Sequence, residues 1–401
     1  MFAPRSRSPR VAIAVVGAVV ALVVGLFFGG HPSWLPSPLR SVFVSESSND
    51  RLVNNVLGLL TKDYYRKVNR SQLINSGLAA AVASLDDPYS HYYDPAEYQG
   101  FQDETDPHLS GIGVDIKVER RGLLVQGVFH GSPAAKAGLS IGDLITAADS
   151  TSLVNRSETF SSNQIKGAAG TAVVLTVQRG HRTRTVRVVR ADITVPVVSG
   201  RLLHYHGTTL GYVLLSSFAE GSGAEVRTEV NQLRHQGADG LILDLRDNPG
   251  GLLEEGVNVA SIFIPDGTIV TTDGRNQPRQ VYLAKGGAIP TSVPLVVLVD
   301  RDTASAAEIV TGALQDRGRA KVVGTHTYGK GVFQEIQPLF NGGALDFTVG
   351  EYFTPNGENL GGGGVRRGPG IAPNVYAYTN PSSRIDTALM VAEKTVAAEL
   401  R

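Results

Sequence analysis

The segment PLVVLVDRDTASAAEIVTGALQD, residues 294–316, decides the fold class of the C-terminal half of the chain. An apolar run ends here in Asp300, and good helix formers follow from Ser305 onwards. Similar short apolar runs recur at residues 209–218, 240–246 and 320–325, with segments of helical character between them. Such runs indicate buried, largely parallel strands in an α/β layer, where ligands bind beyond the carboxyl ends of the strands.

Three motifs follow these predicted strands: LRDNPGGLL at 245–253, VDRDTASAAEIVTGALQD at 299–316 and THTYGKGVFQEI at 325–336. The Asn-Pro-Gly-Gly turn leaves backbone N–H groups uncovered, as an oxyanion hole or an anion-binding turn requires. Taken separately, the motifs have ordinary explanations: a strand-to-helix turn, a helix N-cap at Thr303 or Ser305, and a solvated turn around Lys330.

Taken together, the motifs suggest a nucleophile and a base. A serine hydroxyl needs a base, and a lysine can serve if burial lowers its pKa enough to leave it neutral. The sequence contains neither G-x-S-x-G nor HExxH, so a histidine-based triad or a zincin is not indicated. His326 lies near Lys330 in sequence, and we expect it to pack or to form a surface hydrogen bond.

A second unit covers residues 108–192. The apolar loop SGIGVDI at 110–116, the segment GSPAAKAGLSIGDLI at 131–145 and two closing strands resemble a PDZ domain. In that family the loop matching Gly111, Ile112, Gly113 and Val114 presents backbone N–H groups to the terminal carboxylate of a peptide. The alternative is an ordinary small barrel in which the glycines only form a turn.

The N-terminus predicts a membrane anchor. Residues 11–28 are apolar and uncharged, and 18 helical residues approach the hydrocarbon thickness of a bilayer. Arg5, Arg7 and Arg10 precede them, which predicts a cytoplasmic tail within residues 1–30 and translocation of everything downstream. Residues 31–48 are expected to be a linker. A cleaved signal peptide is the alternative, although no convincing cleavage site follows.

Two further regions flank these units. Residues 49–107 are predicted to be a helical region, with Val53 and its neighbours either packing or contacting a second subunit. It includes DDPYSHYYDPAEYQGF, residues 86–101, whose Tyr89, Tyr92 and Tyr93 are interpreted as packing residues. Residues 381–401 are predicted to be a C-terminal helix that covers the core or a second subunit. Its apolar face comprises Ile385, Leu389, Ala392, Val396 and Leu400.

The composition excludes several classes of protein. The 401 residues include 37 basic and 37 acidic side chains, and this balance argues against nucleic-acid binding. The absence of cysteine excludes cysteine nucleophiles, zinc–thiolate sites and iron–sulfur clusters. We expect no metal and no cofactor.

The motifs TASAAE, TYGKGVFQ and LRDNPGG, with a PDZ-like unit upstream, resemble the C-terminal processing peptidases, the tail-specific proteases of family S41. The resemblance covers residues 50–380 and includes EYFTPNGENL and GIAPNV. It implies a multidomain α/β (α+β) fold: an N-terminal membrane helix, a helical segment, a PDZ-like β-barrel and a crotonase-like serine protease core at residues 193–380. Asp247 and the glycine-rich loop at 361–368 depart from the family pattern.

The resemblance also implies a Ser–Lys dyad. Ser305 would be the nucleophile, Lys330 the general base and Gln334 the residue that orients the lysine. Backbone N–H groups of Ala306 and Gly251, the latter favoured over Gly250, would form the oxyanion hole.

These expectations describe a single-pass cell-membrane protein whose catalytic part lies outside the cytoplasm, in the periplasm or extracellular space. It would cleave protein or peptide substrates that have free C-termini, and it could form a homodimer. Two alternatives remain: a catalytically inactive PDZ scaffold, and a crotonase-like enzyme that uses the Asn-Pro-Gly-Gly turn to hold an enolate.

Overall fold

The computed structural model describes residues 48–105, 108–129, 131–194, 196–380, 382–383 and 385–400. The chain divides into two units, Met1–Ala80 and Ala81–Arg401. In the described part of the first unit, helix α1 (Ser48–Asp63) is followed by the start of α2 (Arg70–Ala83). Neither helix contains a buried residue.

The expected membrane helix, residues 11–28, lies outside the described residues. Within the described part of the chain, no helix combines the length and the apolar character that crossing a bilayer requires.

The PDZ-like unit contains a six-stranded antiparallel sheet. Its strands are β3 (Val114–Glu119), β4 (Gly122–Val128), β5 (Leu144–Ala148), β6 (Thr151–Ser152), β7 (Ala172–Arg179) and β8 (Arg182–Val189). Strands β2 (His108–Gly111) and β9 (Ala191–Thr194) pair with each other at the boundary of the unit. Helices α4 (Pro133–Lys136) and α5 (Glu158–Ile165) complete it, and Gly138, at a φ of 76°, follows the C-terminus of α4.

The central sheet of the C-terminal region, residues 193–380, has the order β10-β11-β12-β15-β16-β19. Its strands are β10 (Val198–Tyr205), β11 (Thr208–Leu215), β12 (Gly240–Asp244), β15 (Leu295–Val299), β16 (Lys321–Gly324) and β19 (Val375–Tyr376). Only the pair β10–β11 is antiparallel among these neighbours. The four apolar runs therefore form the buried parallel strands that the sequence predicts.

Helices cover both faces of this sheet because successive strand residues alternate between the faces. Leu243 and Val297 pack in one apolar cluster with α6 (Ser222–His235), α7 (Leu253–Ala260) and α8 (Ala306–Asp316). Ile242 and Val296 pack in a second cluster with α9 (Thr387–Glu399). The C-terminal helix thus covers the core through Ala388, Ala392 and Val396, whereas Ile385 and Leu400 remain exposed.

A second, antiparallel sheet carries one side of the candidate site. It contains β1 (His91–Tyr93), β18 (Ala344–Phe353), β13 (Thr268–Asp273) and β14 (Gln280–Leu283) in that order, and β17 (Val332–Pro338) also pairs with β18. Helix α3 (Pro95–Thr105) follows β1. The expected helical region at 49–107 therefore also supplies a strand to a sheet formed mainly by residues 268–353.

Candidate active site

Ser305 lies at the junction between β15 and α8, the position that the sequence indicates. Its φ of 54° and ψ of −118° place it in a strained region of backbone space for a residue with a Cβ. Thr303 fixes the preceding turn, because its Oγ1 donates to the carbonyl of Leu245 at 2.8 Å. Backbone strain held by such a tight turn is typical of active-site residues.

The Asn-Pro-Gly-Gly turn packs directly against Ser305. An ideal Cβ built on Gly250 would lie 2.7 Å from the Cβ of Ser305, so any side chain there would collide with the loop. The Asn248 carbonyl accepts from the Ala304 N–H at 2.9 Å, and the Asn248 amide donates to the Leu215 carbonyl at 2.8 Å. The first two motifs therefore form one structural unit.

The backbone N–H groups around Ser305 differ in whether they already donate a hydrogen bond within the protein. The Gly250 N–H donates to Oδ1 of Asn248 at 2.8 Å. Gly251 forms a parallel bridge with Phe218. The two hydrogen bonds of this bridge are made by the neighbours of Gly251: the Phe218 N–H donates to the Gly250 carbonyl, and the Leu252 N–H donates to the Phe218 carbonyl. The N–H of Gly251 therefore points away from Phe218. Ala306 is the first residue of α8, where backbone N–H groups have no partner within the helix.

Lys330 follows β16 and is partly buried. Its Nζ donates to Oε1 of Gln334 at 2.6 Å, and the Gln334 amide in turn donates to Oγ1 of Thr348 at 3.1 Å. Burial lowers the pKa of Lys330 below its ordinary value, while the negative charges of Asp346 and Glu308 oppose this effect. The amine therefore has an environment that favours its neutral form.

Glu308 connects the loop before α8 (residues 300–305, the serine loop) to the loop between β16 and β17 (residues 325–331, the lysine loop). Its side chain is fully buried on the first turn of α8. Oε2 accepts from the backbone N–H groups of both Ser305 and Lys330, each at 3.0 Å. Oε1 accepts from the Gly329 N–H and the Thr327 hydroxyl, both at 2.6 Å. One carboxylate therefore fixes the backbone positions of two of the candidate residues.

Glu308 is absent from the residues predicted above, although the S-x-x-E spacing after Ser305 matches a capping box and marks it. Tyr89, predicted only as a packing residue, places its ring 4.9 Å from Nζ of Lys330. No local signal marks that contact. His326 is exposed, and its Nδ1 lies 3.3 Å from the Pro369 carbonyl oxygen, in agreement with a surface hydrogen bond.

The predicted carboxylate-binding loop borders a cavity of about 140 Å³ in the PDZ-like unit. Gly111, Ile112, Gly113 and Val114 all line it. Of the remaining wall, the polar members are Ser110, Ser162 and Lys166, and the apolar members are Ile116, Phe129, Ile165 and Ile193. Gly113 needs its φ of 77°, and a Cβ there would lie 2.4 Å from the Cβ of Ser132.

Three carboxylates lie together near the serine loop. Oxygen atoms of Asp247, Asp300 and Asp302 fall within 4.8 Å of one another. Backbone N–H groups of Asp247, Asp302 and Thr303 donate to Oδ1 of Asp300 at 3.0–3.1 Å. The Asp300 carboxylate is therefore held in place by its role in forming the turn.

Comparison with known proteins identifies the family. Residues 209–376 match the sequence model of peptidase family S41, and residues 110–189 match that of the PDZ domain. The carboxyl-terminal-processing protease of Picosynechococcus sp. is 36% identical over 309 residues, which cover 76% of this chain and 74% of the relative. The chain belongs to the carboxyl-terminal-processing proteases of family S41.

Another family member, the carboxyl-terminal-processing protease of Synechocystis sp., is 35% identical over 324 residues, which cover 79% of this chain and 76% of that relative. The structure is also similar to that of a photosystem II D1 C-terminal processing protease, with a TM-score of 0.51 and 28% identity, covering 89% of this chain and all of the other. This protein is therefore a serine-type peptidase with a PDZ domain, as the motifs implied. A crotonase-like enzyme and an inactive scaffold are both disfavoured.

Proposed function

We propose that Ser305 is the nucleophile of this carboxyl-terminal-processing protease and that Lys330 is its general base. The observation that carries the proposal is the shared contact with Glu308, whose Oε2 accepts from the backbone N–H groups of both residues. The lowered pKa of Lys330 supports it, because a lysine accepts a proton only when its amine is neutral.

In this mechanism Nζ of Lys330 takes the proton from the Ser305 hydroxyl as Oγ attacks the peptide carbonyl carbon. The N–H groups of Ala306 and Gly251 stabilise the resulting oxyanion. The C–N bond then breaks, and the lysine ammonium protonates the leaving amine. A water molecule gives one proton to Nζ of Lys330 as its oxygen attacks the acyl carbon; the C–O bond to Ser305 then breaks, and the lysine ammonium returns the proton to Oγ. Gln334 orients the amine throughout through its Oε1 contact.

The test compares Ser305→Ala and Lys330→Ala with the unmodified protein on an unstructured substrate that carries a C-terminal tag. We expect each variant to lose at least about a thousandfold in kcat, because the covalent route is removed. Lys321→Ala is the matched control, since that lysine is exposed and pairs with Glu399. Cleavage that either active-site substitution leaves unaffected would contradict the dyad.

We also propose that the PDZ domain holds the C-terminus of the substrate while a nearby segment enters the protease site. The cavity beside Gly111–Val114 supports this role, because it combines a glycine-containing loop with an apolar wall. Weak binding at two sites on one chain then acts through effective concentration.

We further propose that residues 11–28 anchor the protein in the cell membrane and place the protease outside the cytoplasm. The uncharged apolar run and the three preceding arginines support this topology. Full-length protein is expected in the membrane fraction after a high-salt wash, and residues 49–401 in the soluble fraction. Recovery of both in the soluble fraction would contradict the anchor.

A homodimer remains a further proposal. The exposed apolar residues of α1, among them Leu52, Val53 and Val56, support it. Sedimentation of residues 49–401 at increasing concentration tests it, and a monomer at every concentration would contradict it.

A further inference from the structure

The ring of Tyr89 lies over the amine of the candidate general base. Nζ of Lys330 is 4.9 Å from the centroid of the ring, within the range in which a cation is attracted to an aromatic face. The Tyr89 hydroxyl is buried. The sequence suggests only a packing role for this residue, and the dyad mechanism does not use it.

Hydrogen bonds hold residues 84–90, the Tyr89 loop, against strand β18. The Tyr89 N–H donates to Oδ1 of Asp87 at 2.9 Å, and the Ser90 hydroxyl donates to Oδ2 of the same carboxylate at 2.6 Å. Oγ of Ser90 accepts from the N–H of Thr348 at 3.0 Å. Thr348 also accepts from Gln334, so one residue of β18 positions both the ring and the partner of the amine.

The charge on Lys330 changes during the proposed reaction. When the O–H bond of Ser305 breaks, the proton adds to the lone pair of Nζ, and the oxygen electrons form the new bond to the substrate carbon. A full positive charge therefore develops under the ring in the acylation step. The face of an aromatic ring carries partial negative charge and stabilises such a cation most strongly where water is excluded.

We propose that Tyr89 is a positioning residue for the general base: its ring face holds the Lys330 ammonium that forms during acylation and keeps water from the neutral amine. This inference rests on the proposed Ser–Lys function. It adds a role for the segment at residues 86–93, which lies far from the dyad in sequence.

Other charged groups also act on this amine. Burial lowers the pKa of Lys330, whereas Asp346 of β18, Glu308 of α8 and Asp87 of the Tyr89 loop raise it. The ring has two opposing effects on the same value. Excluding water lowers the pKa, and attraction to the ammonium raises it.

Two substitutions separate these effects. Tyr89→Leu keeps an apolar cover but removes the aromatic face. We expect kcat on its pH plateau to fall about tenfold with little change in KM, and the acidic limb of the pH profile to move to lower pH. Tyr89→Ala opens the site to water. We expect its acidic limb to move to higher pH, because the desolvation of Lys330 is relieved.

Two further variants act as controls. Tyr89→Phe retains the ring face and should recover most of the rate that Tyr89→Leu loses. Tyr93→Leu alters a neighbouring tyrosine whose ring stacks on Phe101 at a centroid distance of 5.1 Å, so it reports the effect of packing in this segment. It should leave kcat unchanged.

A second measurement does not depend on turnover. The extent of Lys330 acetylation by acetic anhydride across a pH series, read by mass spectrometry in a Ser305→Ala background, gives the titration of the amine. We expect the midpoint to fall in Tyr89→Leu and to rise in Tyr89→Ala.

Unchanged midpoints in both variants, or a Tyr89→Phe variant as impaired as Tyr89→Leu, would overturn the proposal. Full activity of Lys330→Ala would instead refute the dyad, and the acetylation midpoints would still report whether the ring acts on the amine.

Discussion

At the scale of single residues, the candidate site depends on one residue with an unfavourable backbone conformation and one with a buried amine. Ser305 has a positive φ, which costs roughly 1–3 kcal/mol and persists only where the surroundings enforce it. Lys330 is an amine whose charged form is disfavoured by burial. Hydrogen bonds with Glu308 of α8 and Gln334 of β17 hold Ser305 and Lys330 in these conformations.

Asp346 gives a prediction at this scale. Its Oδ1 is buried without a hydrogen-bond partner in the described part of the chain, and its charge raises the pKa of Lys330. Asp346→Asn removes that charge, so the lysine becomes easier to deprotonate. We expect the acidic limb of kcat/KM to move to lower pH by up to about one unit.

The measurement is the pH dependence of tag removal, with Asp273→Asn as control because Asp273 is exposed at the end of β13. Burial raises the pKa of Asp346 itself, so the two profiles should converge at low pH, where this carboxyl is protonated in the unmodified protein. A shift to higher pH would show that Asp346 acts on the lysine in another way.

At the scale of elements, the site is formed by loops after two neighbouring parallel strands. Ser305 follows β15 and Lys330 follows β16. These two strands pair in parallel, from Val296 opposite Lys321 to Val299 opposite Gly324. Adjacent parallel strands end at the same edge of a sheet, so their loops meet. Glu308 then fixes the distance between the two loops through its hydrogen bonds.

Glu308→Gln tests that role. The substituted amide would turn an NH₂ group towards backbone donors, which leaves buried N–H groups unsatisfied at about 1–3 kcal/mol each. We expect kcat to fall more than tenfold with a smaller change in KM, together with a lower melting temperature. If Glu308→Asp recovers part of the kcat, the carboxylate acts by positioning. A variant with unchanged kcat would contradict this role.

Helix α9 gives a prediction about stability. Arg246, two residues after the end of β12, donates two hydrogen bonds to Asp386 at 2.9 and 2.8 Å, and Asp386 caps α9 by accepting from the Leu389 N–H. Asp386→Asn retains a capping side chain but removes the charge. Since Asn caps a helix about as well as Asp and the ion pair is partly exposed to water, we expect the free energy of unfolding at pH 7 to fall by about 1 kcal/mol.

The pH dependence of this effect has a definite sign. Burial acts to raise the pKa of Asp386, but the contacts with Arg246, Leu389 and Thr379 together outweigh it and lower the pKa in the folded state. Its contribution is therefore complete above the unfolded-state pKa of about 3.9 and disappears as the pH falls through the folded-state value. Denaturant unfolding between pH 2 and 7 should show the variant and the unmodified protein converging in acid. A constant difference would contradict the ionic contribution.

At the scale of the whole molecule, the proposed function assigns recognition of the substrate C-terminus to the PDZ domain and cleavage to the protease core. A substrate whose C-terminal carboxylate is replaced by an amide loses the anion that the loop at Gly111–Val114 would bind. We expect its KM to rise about tenfold or more, with kcat less affected. Cleavage of free-acid and amidated versions of one substrate gives the comparison, and equal rates would contradict carboxylate recognition.

The sequence by itself determined the fold class, the four parallel strands of the core and the positions of Ser305, Lys330 and the Asn-Pro-Gly-Gly turn. These features are local: apolar runs identify buried strands, and each motif directly follows or begins an element. The choice of Gly251 over Gly250 as an oxyanion donor comes from the family resemblance and stays a prediction; in the structure the Gly250 N–H bonds to Asn248.

Only the tertiary structure decided the surroundings of the lysine. Tyr89 and Asp346 lie more than two hundred residues apart in sequence and approach Lys330 because β1 pairs with β18, a long-range register that no local pattern encodes. The role of Glu308 is also tertiary, since its spacing from Ser305 predicts a helix cap but not its contacts with Thr327, Gly329 and Lys330. Pairing between distant strands depends on the packing of the whole core, and the pKa of a buried group depends on every neighbour that this packing brings close.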